Sequence, residues 1–318
     1  MTRRSRNTVI QVGIENDYGV NPGSWGPTSS ILIKNPRFRV VRDVAPRELV
    51  RGYLGGSDQL KSTRRAEIEF EVELAGAGAA GTVPAYGVLL RACGMAETVN
   101  AGVNVEYTPV SEGFESLTIR YALDGVIHIA KGCRGSVVFD LNAYGIPMMK
   151  FKFQGFDAYR TDAPLPNTDF SAWQTPLVLT DGNAGDIHIG GSFANGWASG
   201  GTKLKSRGLT FDLGNKISHL KILGGEEIDI ADRQATGKMS VELDPTEEVA
   251  WETDMNGNVL TSVGFRFGTT AGQKVSVYAP KVQRITPEAE DYEGRVMFAT
   301  DLALLPLTGN DELTISVL

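Results

Sequence analysis

An internal repeat limits the architectures open to this chain, because residues 54–74 align without gaps on residues 223–243. The identical pairs are Leu54/Leu223, Gly55/Gly224, Gly56/Gly225, Arg64/Arg233, Ala66/Ala235, Val72/Val241, Glu73/Glu242 and Leu74/Leu243. A second anchor sets residues 150–153 against residues 295–298 at a different spacing, which implies insertions between the anchors. The chain is therefore expected to contain two copies of one folding unit.

Short runs of alternating apolar and polar residues extend through both copies, as in residues 117–121, 149–153 and 263–267. Such alternation predicts half-buried strands. The 37 glycines and 14 prolines are spread along the chain rather than gathered in one block, as expected for many turns. The pattern predicts a mainly β chain with antiparallel sheets.

Two helices are predicted, each after a strand of the repeat. Residues 84–93 place apolar side chains at helical spacing, with Thr82 as a candidate cap and Gly94 as a stop. The second helix starts at Asp244 as N-cap, followed by proline and by glutamate three residues after the cap, and it stops before Asn256-Gly257.

The repeat and the composition divide the chain into four segments. Residues 1–30 are basic at their start and rich in turns, which predicts an N-terminal arm. Residues 31–163 and 202–318 hold the two copies, and residues 164–201 are a Pro- and Gly-rich connector.

Charge and composition exclude several classes of function. The 31 Lys plus Arg against 38 Asp plus Glu give a net charge of −7, which disfavours general nucleic-acid binding. The sequence lacks the apolar run of about 20 residues that spans a membrane, and no apolar segment follows its basic start, so we expect neither a membrane span nor a signal peptide. Its two cysteines, Cys93 and Cys133, have no metal or redox spacing and are expected to be reduced core residues.

Several motifs that resemble catalytic or binding sites have simpler interpretations. Residues 76–81 spell G-x-G-x-x-G, but the preceding strand has an acidic face, and the second copy replaces the glycines with Asp244-Pro245. The histidines His128, His188 and His219 lack metal spacing, Ser192 misses the G-x-S-x-G elbow, and residues 181–186 lack a bidentate glutamate for calcium. We expect no catalytic residue, metal or cofactor.

Four glutamates alternate along one strand at positions 67, 69, 71 and 73. Like charges about 7 Å apart on one strand face repel each other unless cations or water offset them. Glu67, Glu69, Glu71 and Glu73 are therefore either a solvated face paired with basic residues such as Lys150 and Lys152, or a face toward a polar lumen or a partner subunit.

The first copy holds a series of motifs that together form a recognisable pattern: Gly52-Tyr53-Leu54-Gly55-Gly56, the strand at residues 64–74, Cys93-Gly94-Met95-Ala96, Val105-Glu106-Tyr107-Thr108-Pro109, Asp124-Gly125, Gly132-Cys133-Arg134-Gly135 and Phe139-Asp140-Leu141-Asn142-Ala143. On these residues the first copy resembles the tail tube (major tail) proteins of long-tailed bacteriophages over about residues 31–160. The second copy keeps chiefly the block at residues 223–243.

The resemblance implies two tandem tube-like domains, each of two packed antiparallel sheets with a flanking helix, and a structural role without chemistry. Family members form rings of six domains that stack around a tape measure protein, with tail terminator and baseplate or tip proteins at the ends. Two domains per chain imply three chains per ring. DNA would pass without specific binding. We expect a location in the virion tail, with assembly in the host cytoplasm and no membrane contact.

In this family a long loop before the main strand contacts the neighbouring subunit, and residues 42–60 occupy that position. The resemblance thus implies inter-subunit contacts from Arg47, Glu48, Arg51 and Tyr53.

Two alternatives remain open at this point. A duplicated β-sandwich adhesin or carbohydrate-binding module would use exposed aromatic residues, for which Trp25, Trp173, Trp197 and Trp251 are candidates, although they are not at equivalent positions of the repeat. A nucleotide-binding enzyme would use the loop at residues 76–81.

Overall fold

Antiparallel strands form most of the structure, a computed structural model that describes residues 2–183 and 186–318. The first half holds β1 (Thr8–Ile14), β2 (Ser30–Ile31), β3 (Lys34–Pro46), β4 (Gln59–Glu73), α1 (Gly87–Ala92), β5 (Met95–Asn100), β6 (Asn104–Pro109), β7 (Leu117–Leu123), β8 (Val126–Asn142) and β9 (Met148–Asp162). The second holds β10 (Asp186–Ile189), β11 (Ser192–Ala194), β12 (Trp197–Ser199), β13 (Thr202–Asp212), β14 (Asn215–Ile222), β15 (Gly225–Arg233), β16 (Thr236–Glu242), α2 (Pro245–Asn256), β17 (Thr261–Phe267), β18 (Val275–Tyr292), β19 (Arg295–Leu305) and β20 (Thr314–Val317). Single 3-10 turns occur at Pro27–Ser29 and Asp181–Asn183. The prediction of a mainly β chain with antiparallel sheets is confirmed.

Six strands of the second half close into a barrel. Their hydrogen-bonded order is β13, β10, β17, β18, β19 and β16, which pairs again with β13. Because side chains alternate across each strand, one face of every strand fills the interior. The buried interior side chains include Leu204, Phe211, Met239, Phe265, Val282 and Leu302.

The first half repeats this order with β1, β7, β8, β9, β4 and β3. Its closing strand is interrupted at residues 32–33, so β2 pairs with β1 and β3 pairs with β4. The counterparts are β1 and β10, β2–β3 and β13, β4 and β16, β7 and β17, β8 and β18, and β9 and β19.

Strand register places these counterparts residue by residue. The repeat sets Ile68 against Gly237, and their cross-strand partners are Phe38 on β3 and Phe211 on β13. It also sets Val72 against Val241, whose partners on β9 and β19 are Met149 and Phe298. The second anchor taken from the sequence is therefore wrong in register, because it set Phe298 against Phe153 rather than Met149.

Two antiparallel joints connect the halves. Residues 138–142 of β8 pair with residues 208–212 of β13, and the C-terminal β20 pairs with β6 as well as with β18. Through the first joint a sheet runs unbroken over β3, β4, β9, β8, β13, β16, β19 and β18. We call this the continuous sheet, and the face turned away from the barrel interiors its outer face.

The two helices follow β4 and β16, as predicted. Asp244 caps α2 by accepting from the backbone N–H of Thr246 and Glu247, and Glu247 returns the bond to the Asp244 N–H, so the predicted capping box is confirmed. The first helix is shorter than predicted. It starts at Gly87 behind Tyr86, without a side-chain cap from Thr82, because residues 82–84 are irregular and residues 85–86 form a turn.

Segments expected to be an arm and a connector also supply strands. Residues 8–14 form β1, which pairs with β7 along its whole length. Residues 186–199 form β10 and the hairpin of β11 and β12. The strands β10, β11 and β12 escaped the sequence analysis because each has only three or four residues and is flanked by glycine.

Candidate functional site

The four glutamates singled out from the sequence lie on β4 and point to the outer face, between β3 and β9. A carboxylate oxygen of Glu69 lies 3.9 Å from Nη1 of Arg37 on β3, and its other oxygen lies 3.6 Å from Nζ of Lys152 on β9. Glu71 accepts a hydrogen bond from Asn35 at 3.1 Å. Lys150 instead pairs with Asp140 of β8 at 2.5 Å.

Glu67 is the most enclosed of the four and is held by two arginines. Arg39 donates to its Oε2 through Nε at 3.0 Å and also through Nη2, and Arg65 donates to Oε1 at 3.2 Å. Burial favours the neutral acid, but the two guanidinium groups outweigh it and lower the pKa of Glu67 below its ordinary value.

Glu73 differs from the other three glutamates. It lies at the end of β4, opposite Met148. Together with Glu71, Tyr86 and Trp173 it lines a cavity of about 230 Å³. Around β4 the outer face thus carries paired charges at Glu67 and Glu69, whereas Glu71 is bonded to an amide and Glu73 forms no ion pair with any residue that the structure describes.

The predicted contact residues Arg47, Glu48, Arg51 and Tyr53 lie in the loop that joins β3 to β4. Arg47 pairs with Asp58 across the base of this loop at 3.0 Å. At the tip the side chains of Val50, Tyr53 and Leu54 are exposed to solvent. We call residues 42–60 the first hairpin.

The second hairpin, β14 with β15, is the counterpart of the first, and Leu223 at its tip corresponds to Leu54. Its base packs on the first half of the chain. The buried guanidinium of Arg134 on β8 donates to Glu227 and Asp229 at 3.1 Å each and to the carbonyl of Ile228 at 3.0 Å. It also stacks on the Tyr18 ring at 4.7 Å.

Tyr18 adds two backbone bonds to the same contact. Its hydroxyl donates to the carbonyl of Ile228 at 3.1 Å and accepts from the Ile228 N–H at 2.6 Å. Burial raises the pKa of Tyr18 to about 12. Further along the hairpin, Lys221 pairs with Asp43 of β3 and lowers the pKa of that carboxyl, as does a hydrogen bond from Thr63. Sequence reasoning missed this contact because its partners lie far apart in the chain.

Both ends of the continuous sheet are open. Among the described residues β3 pairs with β4 alone, and residues 287–292 of β18 pair with β19 alone. The counterpart of β3 is β13 and the counterpart of the end of β18 is the end of β8, and these two counterparts pair with each other. Unpaired strand edges of this length favour pairing with another chain.

The glycine-rich loop at residues 76–81 is a packing element. The N–H of Gly78 donates to the carbonyl of Gly272 at 2.8 Å. A Cβ on Gly76 would lie 2.1 Å from the same oxygen, and one on Gly81 would lie 2.3 Å from the Gly102 nitrogen. The glycines thus allow close approach of the loop at residues 268–273 and of the β5–β6 turn.

Other candidate residues from the sequence are dispersed. His128, His188 and His219 lie on β8, β10 and β14, and Ser192 begins β11. Cys93 and Cys133 are free and buried, and burial raises the pKa of both thiols. The calcium-like segment at residues 181–186 lies partly outside the described residues. Over residues 2–183 and 186–318 no three metal-ligating side chains are grouped.

The tryptophans have structural partners. Trp25 and Trp197 each follow the first strand of a half, and each lies under an arginine of the next barrel strand, Arg120 at 4.9 Å and Arg266 at 5.6 Å. Trp251 of α2 is buried against Arg284 of β18 at 4.6 Å. The match of Trp25 with Trp197 was missed because the flanking sequences differ.

A closed antiparallel barrel and a second unit with the same strand order share one sheet whose two ends are open. This architecture is typical of a structural β protein whose sheet can continue into another chain. A family model described as phage tail tube protein matches residues 5–317, and the chain belongs to this family. A comparison with curated proteins found no match.

Family membership gives the chain a structural role in the tail tube, through self-assembly with itself and other tail components, and a location in the virion tail. It favours a protein without catalytic activity. In the part of the chain that the structure describes, no helix has the length and apolar character needed to cross a bilayer.

Proposed function

We propose that this chain polymerises into stacked rings that form the phage tail tube, through which the genome is ejected. Each ring contains three chains and has pseudo-sixfold symmetry, because each chain supplies two barrel units. A tape measure protein fills the tube during assembly in the host cytoplasm, and tail terminator and baseplate or tip proteins bind its ends. The tube needs no cofactor.

The observation that carries the proposal is the joint between β8 and β13. It links the two halves of one chain edge to edge, while the counterpart edges, the end of β18 and β3, have no partner strand among the described residues. A head-to-tail contact that repeats the internal joint makes either a closed ring or an open helix. Three such contacts close six equivalent units.

The hairpins support the same arrangement. The second hairpin packs on the first half of its own chain through Arg134 and Tyr18. By equivalence the first hairpin, with Arg47, Glu48, Arg51 and Tyr53, packs on the second half of the neighbouring chain whose β18 pairs with its own β3. This contact would bury apolar side chains that are exposed in the single chain, Val50 and Leu54 among them.

The outer face of the continuous sheet then lines the lumen, with Glu67, Glu69, Glu71 and Glu73 in its wall. β1, β7, β10 and β17 lie on the opposite sides of the two barrels. Because Glu67 and Glu69 are paired with Arg37, Arg39 and Lys152, this part of the wall offers phosphate neither a row of free cations nor a strong repulsive field. DNA can therefore slide without specific binding.

A hairpin variant tests the proposal. Replacing Val50, Tyr53 and Leu54 by serine should leave the fold intact, because these side chains contact solvent in the single chain. We expect monomers with unchanged melting that form no rings by negative-stain microscopy. The matched control replaces by serine two exposed valines elsewhere, Val99 near the end of β5 and Val103 in the β5–β6 turn. This control should assemble into rings. Normal tubes from the hairpin variant would contradict the proposal.

A further inference from the structure

The joint inside the chain also fixes the register of the joint between chains. On β13, Asp212 and Thr210 lie opposite Thr236 and Lys238 of β16. The repeat makes these two β16 positions the counterparts of Glu67 and Glu69, which lie opposite Arg39 and Arg37 of β3. Arg39 therefore occupies the place of Asp212, and Arg37 that of Thr210.

The same comparison gives the register of the other open edge, the end of β18, whose counterpart is β8. On β8, Val138 and Asp140 lie opposite Lys150 and Met148 of β9. The counterparts of these two β9 residues on β19 are Ala299 and Met297, which lie opposite Glu288 and Glu290 of β18. Glu288 therefore occupies the place of Val138, and Glu290 that of Asp140.

Inside the chain Val138 lies opposite Asp212, and Asp140 lies opposite Thr210, so neither pair joins opposite charges. Resting on the proposed ring, we infer that Glu288 of one chain lies opposite Arg39 of the next, and Glu290 opposite its Arg37. The contact between chains is thus an acidic strand edge against a basic one, whereas the contact within the chain has no such pairs.

Exposure and pairing of the four side chains fit this assignment. The side chains of Arg37 and Arg39 are 70% and 60% exposed although each already contacts one carboxylate, so each guanidinium has donors left for a second. Glu288 is exposed and Glu290 half-buried, and neither forms an ion pair with any residue that the structure describes. Assembly would produce an alternating row of Lys152, Glu69, Arg37 and Glu290 across four strands.

The charges also specify the register. A slip by one residue would turn the side chains of one edge to the opposite face. A slip by two would set Glu288 opposite Arg37 and Glu290 opposite Asn35, or Glu290 opposite Arg39 and Glu288 opposite Val41. Each slipped register sets only one pair of opposite charges against each other, whereas the assigned register has two.

The difference between the two joints has a kinetic reason. The internal joint forms within one chain and needs no diffusional encounter. Chains that meet in solution gain association rate and orientation from complementary charge, and that gain falls as salt rises. The charged pairs thus lie at the joint that must form between separate molecules.

Cysteine cross-linking tests the register. In the variant Arg37→Cys/Glu290→Cys, oxidation or a short thiol-specific linker should join chains head to tail, giving covalent dimers and trimers on a non-reducing gel. The matched control Arg39→Cys/Glu290→Cys, displaced by two residues, should cross-link at least tenfold less. The native Cys93 and Cys133 are buried and should not react.

A charge variant tests the electrostatic part. Glu288→Arg/Glu290→Arg should assemble about tenfold more slowly or worse than the wild type at low salt. Glu112→Arg/Glu252→Arg, with the same change of charge in the loop after β6 and on α2, should assemble at the wild-type rate. Glu112, Glu252 and Glu288 are exposed and Glu290 is half-buried, and thermal melting of both variants checks that they fold.

The outcomes separate this inference from the ring itself. If the wild type forms no rings, the proposed function fails. If rings form but the displaced cysteine pair cross-links better, or neither pair does, the register is overturned. If the Glu288/Glu290 variant assembles like its control, the electrostatic role is overturned while the ring stands.

Discussion

Replacing Arg134 by methionine should loosen the contact between the second hairpin and the first half of the chain. The guanidinium is buried, with 9% of its side chain exposed, and it holds Glu227, Asp229, the carbonyl of Ile228 and, at 3.1 Å, the carbonyl of Phe114. Methionine fills most of the volume but donates no hydrogen bond.

The expected loss of stability depends on which hydrogen bonds each partner of Arg134 retains in the variant. The Glu227 and Asp229 side chains are 47% and 34% exposed, so water can replace part of their bonds, and each contributes about 1 kcal/mol or less. The Phe114 carbonyl loses this donor, and the stacking on Tyr18 contributes about 1 kcal/mol. Together we expect a loss of about 3 kcal/mol in the free energy of unfolding.

Urea unfolding of the monomer measures this loss, and limited proteolysis at Lys216 and Lys221 reports whether the hairpin is released. Arg134→Lys keeps the charge without the planar fork and should lose about half as much stability. A loss below about 1 kcal/mol, or unchanged proteolysis of the hairpin, would refute the inference that Arg134 holds the second hairpin on the first half of the chain.

Three further predictions follow from local geometry. Gly76→Ala should cost about 2 kcal/mol of folding stability, because the added Cβ would lie 2.1 Å from the Gly272 oxygen. The control Gly52→Ala should melt like the wild type, because no atom lies within 4 Å of the added Cβ. Equal melting of the two variants would contradict the packing role of the loop at residues 76–81. Trp251→Ala should cost about 3 kcal/mol in urea unfolding, because the buried ring covers Arg284; a loss below about 1 kcal/mol would show that α2 contributes little. Asp43 and Glu67 have lowered pKa values, so their contribution to folding stability is present above about pH 4 and is lost as the pH falls through their folded pKa values. In the wild type the midpoint of urea unfolding should therefore fall between pH 5 and 3, and Asp43→Asn/Glu67→Gln should make that fall smaller. An equally steep fall in the variant would contradict this prediction.

Much of the fold could be predicted because its signals are local. Alternation at residues 149–153 and 263–267 marks β9 and β17, and the capping residues around Asp244 mark the start of α2. These patterns depend on neighbours in sequence. The repeat was detectable at residues 223–243 because both copies keep the same Leu-Gly-Gly tip and the same strand after it.

The site was harder to predict because it depends on strand register. The glutamates of β4 gave an acidic pattern by sequence, but their cations come from β3 and β9, whose positions beside β4 are set only by the fold. The joint of β8 with β13 links residues about 70 apart and has no local signal. The opposite charges on β3 and the end of β18 likewise acquire meaning only when the internal joint supplies a register.

The number of chains in the smallest ring tests the central claim most directly. Electron microscopy of assembled tubes, with mass measurement of single rings, should show a central channel surrounded by three chains that form six similar units. Rings of six chains would retain the tube but contradict the pairing of the two halves as equivalent units. Assemblies without a central channel would contradict the tube itself.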